Sequence, residues 1–279
     1  MTNSYGPRRS RRALGALAAL ALALLGLLAG ASAHADAGPP PAALPSAAQM
    51  TAVKVYFLRN GDELAVVHRV GSFTRAPAAR SLRLLLAGPN AAERASGLTS
   101  AVPPKSAFRW VIRRGQVANV NLSSDFAPGV RLTLSPQVAE VVYTLTQFPT
   151  IKLVRFLIEG RKTEVLAETT GTTYALLGRQ VLASYVPRIF LESPGFGEQV
   201  PSPIVIEGSA LGSVLATLVD ADGKLLARRL LVDRAETRRH FTVFLKYRVD
   251  VEQQGRLVLF KLEGARPGLQ VTLPLTLVP

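Results

Sequence analysis

The side chains that could perform catalysis are few, and their spacing does not suit the task. The three histidines are His34, His68 and His240. None lies in an H-x-H or H-E-x-x-H arrangement, which would bring two imidazoles to one metal ion. We interpret His68 and His240 as ordinary strand or surface histidines. No motif for a metal ion or a cofactor is present, and we predict neither.

The acidic residues are also poorly placed for acid–base chemistry. Glycoside hydrolysis needs two carboxylates that face each other across the scissile bond. Asp62 and Glu63, however, are adjacent beside a turn dipeptide, and Asp220 and Asp222 flank another turn. The chain has no G-x-S-x-G serine motif and no cysteine nucleophile. We therefore predict that the protein is not an enzyme.

A cluster of basic residues near the C-terminus is the strongest candidate for binding. If neighbouring strands pair in this region, several of its cations share one sheet face and create a positive local field, which favours an anionic ligand. A solvated strand face without a ligand is the alternative interpretation. The cluster comprises Arg228, Arg229, Arg234, Arg238, Arg239, Lys246 and Arg248.

The N-terminus has the pattern of an export signal. Four arginines precede an uncharged stretch at 13–33, and small residues at 31–33 and 33–35 fit a signal-peptidase site. We predict a signal peptide at 1–35, cleaved after Ala33 or Ala35. The stretch is also long enough to span a bilayer, so a retained anchor is the alternative, and only then does the protein contact a membrane. Both alternatives place the body outside the cytoplasm, in the periplasm, in the envelope or secreted.

The net charge indicates the kind of partner. The chain has a formal charge of +14; removal of the four leader arginines from 33 basic residues leaves 29, against 19 acidic residues, a balance of +10. Outside the cell this charge favours peptidoglycan or an anionic wall polymer, although arginines that only maintain solubility would give the same balance. We do not expect nucleic acid as a partner, because the protein is exported and aromatic residues do not alternate with the basic ones.

The remaining sequence predicts an α+β protein of two domains joined to the leader by a tether. Residues 36–50 are rich in alanine and proline, which is typical of an extended linker. Residues 51–185 read as strand, strand, helix, strand, strand, helix, strand, which indicates an α/β sandwich with a mixed sheet covered by two helices. The helices begin near Pro77 and Pro136, and a weak helical turn is predicted at 174–177.

Residues 186–279 contain about seven short apolar runs separated by turn signals, as in an all-β immunoglobulin-like sandwich. At 241–249 apolar and polar residues alternate, which indicates one buried and one solvated face. Asp222 and Gly223 predict a hairpin turn. The runs are 189–191, 204–206, 214–219, 225–232, 241–249, 257–262 and 269–277.

Five separated segments between residues 51 and 160 carry a family pattern. They are VKVYF at 53–57, LLLAGP at 84–89, GLTS at 97–100, VNLS at 120–123 and VVYTLTQFP at 141–149. In this order they resemble the GerMN domain of sporulation and spore germination proteins. Asn121 stands where the family usually has aspartate, so no role of that carboxylate is carried over. The resemblance implies no catalytic residues. The GerMN family is itself similar to ring-building modules of envelope machines, which implies self-association or docking to envelope proteins.

The C-terminal region has a resemblance of its own. Ser-Pro at 193–194, VPSP at 200–203, EGSA at 207–210 and Asp-Gly at 222–223 resemble the immunoglobulin-like domain of bacterial spore germination proteins, often found after a GerMN domain. Together the two resemblances imply an exported, non-enzymatic envelope protein that makes protein or wall contacts. Direct binding of an anionic wall or surface polymer by a basic face of the sandwich is the alternative.

Overall fold

The computed structural model describes residues 50–279 apart from 130, 233–236 and 264–265. These residues belong to one compact unit, which is mostly β-sheet with short helices. The predicted signal peptide and nearly all of the predicted tether lie outside the described residues. Among the helices that the structure does describe, none has the length and hydrophobicity needed to span a lipid bilayer.

The N-terminal elements alternate between hairpins and helices, and two 3-10 turns, Ser124–Phe126 and Arg179–Tyr185, accompany them. The α-helices are α1 (Pro77–Leu86), α2 (Ala91–Ala95) and α3 (Pro136–Leu145). The strands are β1 (Met50–Arg59), β2 (Glu63–Ser72), β3 (Phe108–Arg114), β4 (Val117–Leu122), β5 (Leu132–Thr133), β6 (Leu153–Ile158), β7 (Arg161–Thr163), β8 (Val165–Ala167) and β9 (Thr172–Tyr174).

The long β1–β2 hairpin forms one wall of the N-terminal core. Its tip contains Asn60 and Gly61, which have φ values of 54° and 94°, a conformation that glycine adopts without strain. Helices α1 and α3 pack against β1. Helix α3 is buried on every side from Val138 to Leu145, so it lies at the centre of the core and not on its surface.

Two further sheets complete the N-terminal part. One is four-stranded and mixed, in the order β3-β4-β6-β7, with β4 and β6 parallel. Helix α3 lies between these two strands in the sequence, as a parallel connection requires. The other sheet has the order β5-β8-β9.

The helical turn predicted at 174–177 is wrong. Thr172, Thr173 and Tyr174 form β9, which pairs with β8, because β-branched and aromatic residues favour extended backbone. Leu177 then exchanges backbone hydrogen bonds of 2.8 and 2.9 Å with Val154. Helical backbone begins only afterwards, in the 3-10 turn Arg179–Tyr185.

The C-terminal part consists of two sheets that enclose a second core. The sheets have the orders β10-β12-β15 and β11-β17-β16-β13-β14, and residues of both meet in one apolar cluster. Each predicted apolar run lies wholly or partly in a strand. The strands are β10 (Ile189–Ser193), β11 (Gln199–Val200), β12 (Ile204–Leu211), β13 (Val214–Asp220), β14 (Leu225–Leu231), β15 (Arg238–Leu245), β16 (Gln253–Glu263) and β17 (Arg266–Leu277).

Strand β10 contributes to both cores. Ile189 and Leu191 are buried in the C-terminal core, whereas Phe190 between them is buried in the N-terminal core. Successive side chains of a strand point to opposite faces. Three consecutive apolar residues therefore fit a strand that has a hydrophobic core on each side.

Candidate functional site

Two of the acidic residues considered for catalysis stabilise turns. Glu63 accepts a hydrogen bond of 3.1 Å from the side-chain amide of Asn60 at the tip of the β1–β2 hairpin. Asp220 accepts bonds of 3.1 and 2.8 Å from the backbone N–H groups of Asp222 and Lys224. Within the described part of the chain, no three His, Asp or Glu side chains come together in a group that could hold a metal ion.

His68 connects the two parts of the structure. It lies in β2, as predicted for a strand histidine, but its side chain is only 13% exposed. Nε2 is 2.9 Å from the backbone oxygen of Glu192, and Nδ1 is 2.8 Å from Oε2 of Glu198. Its two ring nitrogens therefore both contact the C-terminal part, whereas His240 is exposed on β15.

A second polar network at this junction surrounds Arg179. Its guanidinium donates hydrogen bonds to Oε1 of Glu192 at 2.8 Å, to the hydroxyl of Tyr56 at 3.1 Å and to Oγ1 of Thr146 at 2.9 Å. The group also lies over the ring of Tyr143, 4.6 Å from its centroid. One arginine thus joins β1, helix α3 and strand β10.

The protonation states in this network suit a structural role. Burial raises the pKa of Tyr56 far above its ordinary value, so its phenol remains protonated and does not act as a base. Burial also favours the neutral form of Glu192, but Lys54 and Arg179 outweigh it and lower the pKa of that carboxyl. Glu192 is therefore an ionised acceptor between two cations, with Lys54 Nζ 3.6 Å from its Oε2.

The loop after β10 completes the junction. Phe196 packs against both hydrophobic cores. Gly195 approaches β2 so closely that an added Cβ would lie 2.8 Å from the backbone nitrogen of His68. The loop thus docks on β2 at Gly195, and Phe196 next to it contacts the two cores.

Gly195→Ala is expected to destabilise the protein by about 1–3 kcal/mol, because the new methyl group forces the loop away from β2. Thermal unfolding of the purified variant measures the effect. Gly129→Ala is the control, since an added Cβ there meets nothing closer than 3.8 Å. Equal midpoints for the two variants would contradict the proposed close approach.

A cavity of about 360 Å³ lies beside the junction. The tip of the β1–β2 hairpin, the loop containing Phe196 and the residues of β17 from Leu269 to Pro274 line it. Burial lowers the pKa of Arg59 at its rim, and the Arg59 guanidinium is 3.5 Å from the backbone oxygen of Thr272. The charged groups at this rim contact the protein itself.

The structure distributes the predicted basic cluster over two sheets. The expected pairing of neighbouring strands does not occur, because β14 pairs with β13 and β15 pairs with β12. Strands β14 and β15 are instead the outermost strands of different sheets. Between them lies a cavity of about 520 Å³ with Arg228, Arg229 and Lys246 in its lining. We call this cavity the edge groove.

The other members of the predicted cluster lie around the edge groove or away from it. Arg239 lines a smaller hollow next to Val232. Arg248 is exposed beyond the end of β15, and Arg234 lies outside the described residues. Arg238 donates hydrogen bonds of 3.2 and 2.9 Å to the carbonyl groups of Val186 and Pro187, so it stabilises the connection between the two parts.

The N-terminal part matches a family model. The model, Germane, is described as "Sporulation and spore germination" and matches residues 54–164. The chain contains a GerMN domain. The resemblance inferred from the five sequence segments is thereby confirmed. No curated protein matches the chain.

Two solved structures of GerMN domains are similar to this chain. The first GerMN domain of the sporulation protein GerM from Bacillus subtilis is 20% identical, with a TM-score of 0.35, and the match covers 47% of this chain and 98% of that one. The tandem GerMN domains of the same protein are 15% identical, with a TM-score of 0.40, and the match covers 71% of this chain and 61% of that one.

The junction between the GerMN domain and the residues that follow it was not predicted from the sequence. Arg179 and Glu192 follow residue 164, the last one that the family model matches, yet both contact Tyr56 inside the GerMN domain. The available signal was weak: an apolar triplet at 189–191 followed by an isolated acid. Neither residue belongs to a motif that identifies its partner.

Proposed function

We propose that this is an exported, non-enzymatic protein of the cell envelope whose GerMN domain and C-terminal immunoglobulin-like sandwich make contacts with other envelope components. A GerMN domain indicates a relation to sporulation or germination. The signal-like sequence at 1–35 supports export. Two sheets around one core support the immunoglobulin-like assignment, and the contacts of α1 with β3 and of α3 with β6 support two helices packed on the mixed sheet.

The observation that carries the proposal is the contrast between the junction and the edge groove. At the junction, His68, Arg179 and Glu192 contact other protein groups and stabilise the structure. At the edge groove, Arg228 and Lys246 are exposed beside a cavity. Exposed cations beside a cavity support a binding function best. They create a positive field that attracts an anionic ligand, but they do not form a set of catalytic groups.

Crosslinking in native cells, followed by identification of the captured partners, tests the contact function. We expect envelope proteins or peptidoglycan fragments in the captured material, and we expect the full-length protein to be absent from the cytoplasmic fraction. Purified protein should not hydrolyse peptidoglycan or common glycans. Hydrolysis that disappears when one carboxylate is replaced would contradict the proposal.

The second candidate function is direct binding of an anionic wall or surface polymer. The cations around the edge groove favour it. We expect Arg228→Glu with Arg229→Glu to weaken retention on purified cell walls by about tenfold or more, because opposite charges then become like charges. Wall pull-down at low and high salt measures the effect, which salt should reduce. Arg161→Glu with Lys162→Glu changes the net charge equally on exposed residues of β7 and is the control.

A further inference from the structure

We propose that the edge groove binds an acidic, extended polypeptide segment of a partner protein, which pairs as an additional strand with β14. The inference rests on the proposed contact function and names the chemistry of one partner. Strand β14 ends the five-stranded sheet and β15 ends the three-stranded sheet. Each has a strand partner on one side only among the described residues. The edge of a terminal strand offers backbone N–H and C=O groups to another chain.

Strands β14 and β15 are consecutive in the chain but belong to different sheets. Residues of both strands line one cavity, so their edges face the same opening. The space between them, about 520 Å³, lies within the range of about 300–1,000 Å³ that is typical of binding clefts. A second hollow, lined by Val232, Arg239 and Phe241, extends the opening towards the start of β15. The groove can therefore accept an extended chain along the direction of the strands.

The charges of the groove select an acidic occupant. Arg228, Arg229 and Lys246 line the main cavity, Arg239 lines the adjoining hollow, and no acidic residue lines either one within the described chain. Carboxylates spaced along an extended peptide would each lie near a cation. A second copy of this chain does not fit, because pairing of two such edges brings like charges together.

The apolar residues of the groove favour a polypeptide over a polysaccharide or polyphosphate. Leu231 and Phe244 line the main cavity, and Phe244 on β15 is 60% exposed. These side chains give apolar contact area to the alternate side chains of an added strand, whereas a charged polymer without apolar groups gains nothing from them.

Edge cations have a second known effect, which the experiment must separate from binding. Lysine and arginine on an edge strand prevent pairing between copies of the same protein. If that were their only effect, their removal would cause self-association and no peptide would bind. If they bind an acidic strand, their removal weakens peptide binding.

The test uses the purified protein and a fluorescent peptide of about eight residues in which glutamate alternates with valine. Binding is followed by fluorescence anisotropy. A second peptide of the same sequence carries backbone N-methyl groups at alternate residues, which keep its charge but remove its strand hydrogen bonds. We expect the first peptide to bind and the methylated one to bind about tenfold or more weakly. Hydrogen exchange should show new protection of amides in β14.

The groove variant is Arg228→Ser, Arg229→Ser and Lys246→Ser. We expect its affinity for the peptide to fall about tenfold or more, because three charge-assisted contacts disappear. The matched control removes three exposed cations of the GerMN domain, by Arg114→Ser, Arg161→Ser and Lys162→Ser, and should bind as the unmodified protein does. Circular dichroism and the thermal midpoint verify that both variants are folded.

Three results would overturn the inference. If the methylated peptide bound as tightly as the first peptide, binding would depend on charge alone and not on strand pairing. Binding of poly(glycerol phosphate) without binding of the peptide would favour the polymer candidate. If the groove variant self-associated and the unmodified protein bound no peptide, the cations would serve only to prevent aggregation. None of these results would change which envelope partners are captured by crosslinking, the experiment that tests the proposed function. Failure of this inference is therefore distinguishable from failure of the proposed function.

Discussion

Phe190→Ala is expected to destabilise the protein by about 3–5 kcal/mol, the usual cost of removing a buried phenylalanine ring. Phe190 belongs to a strand of the C-terminal sheet, but its side chain is 4% exposed and lies in the N-terminal core. Its ring centroid is 6.2 Å from those of both Tyr56 and Tyr143. The substitution therefore removes an aromatic contact between the two parts of the structure.

The same substitution should also weaken the coupling between the two cores. Trp110 is the single tryptophan of the chain and lies in β3, so its fluorescence reports on the GerMN domain, whereas far-UV circular dichroism reports on both parts. In urea unfolding we expect the two signals to change together in the unmodified protein and at separate midpoints in Phe190→Ala.

Phe244→Ala is the matched control for this prediction. It removes the same side chain from the same three-stranded sheet, but at a position that is 60% exposed. We expect a change within about 0.5 kcal/mol, as for other surface substitutions. If both variants lost the same stability, or if Phe190→Ala kept coincident transitions, Phe190 would not couple the two cores.

Local features of the fold could be predicted from the sequence because their causes are local. Pro77 and Pro136 occupy first positions of helices, where the missing N–H and the fixed φ of proline are favourable. Asn60 and Gly61 form the tip of a hairpin because both accept positive φ.

The short helix α2 was not predicted, although its start has a local signal. Asn90 and Glu93 form a capping box there, and the N-x-x-E spacing in the sequence indicates such a box.

Long-range features could not be predicted because no local pattern identifies the partner. Tyr56 and Glu192 are hydrogen-bonded across 136 positions of sequence, and nothing near either residue indicates the other. The basic residues show the same limit. Sequence proximity of β14 and β15 suggested one sheet face, but the chain crosses between sheets after β14, so Arg228 and Lys246 lie on two edges that face a groove.

Glu140 provides the second large effect, which depends on pH. It lies in helix α3 with no exposed surface, and Oε2 accepts a hydrogen bond of 2.9 Å from the backbone N–H of Ala101. Oε1 is buried without a hydrogen-bond partner among the described residues. Burial raises the pKa of this carboxyl from 4.5 to about 8, although hydrogen bonds from Ser100, Ala101 and Val102 oppose the shift.

The sign of the pH dependence follows from this raised pKa. Below pH 4.5 the carboxyl is neutral in the folded and the unfolded chain, and its contribution to stability is complete. As pH rises towards 8, the unfolded chain releases this proton while the folded protein retains it, so folded stability falls. Above the folded pKa the loss is complete and amounts to roughly 3–5 kcal/mol, at about 1.4 kcal/mol per pKa unit.

Glu140→Gln should remove this pH dependence, because an amide of nearly the same shape does not ionise. We expect the variant to be more stable than the unmodified protein by roughly 3 kcal/mol at pH 8 and similar to it at pH 4. Urea unfolding at a series of pH values measures the difference, and contributions of other titrating groups cancel in it. Glu207→Gln, at an exposed position of β12, is the control and should follow the unmodified protein at every pH. If the difference in stability between Glu140→Gln and the unmodified protein stayed constant across this range, Glu140 would be ionised in the folded protein. The backbone N–H of Ala101 would then be the group that stabilises its charge.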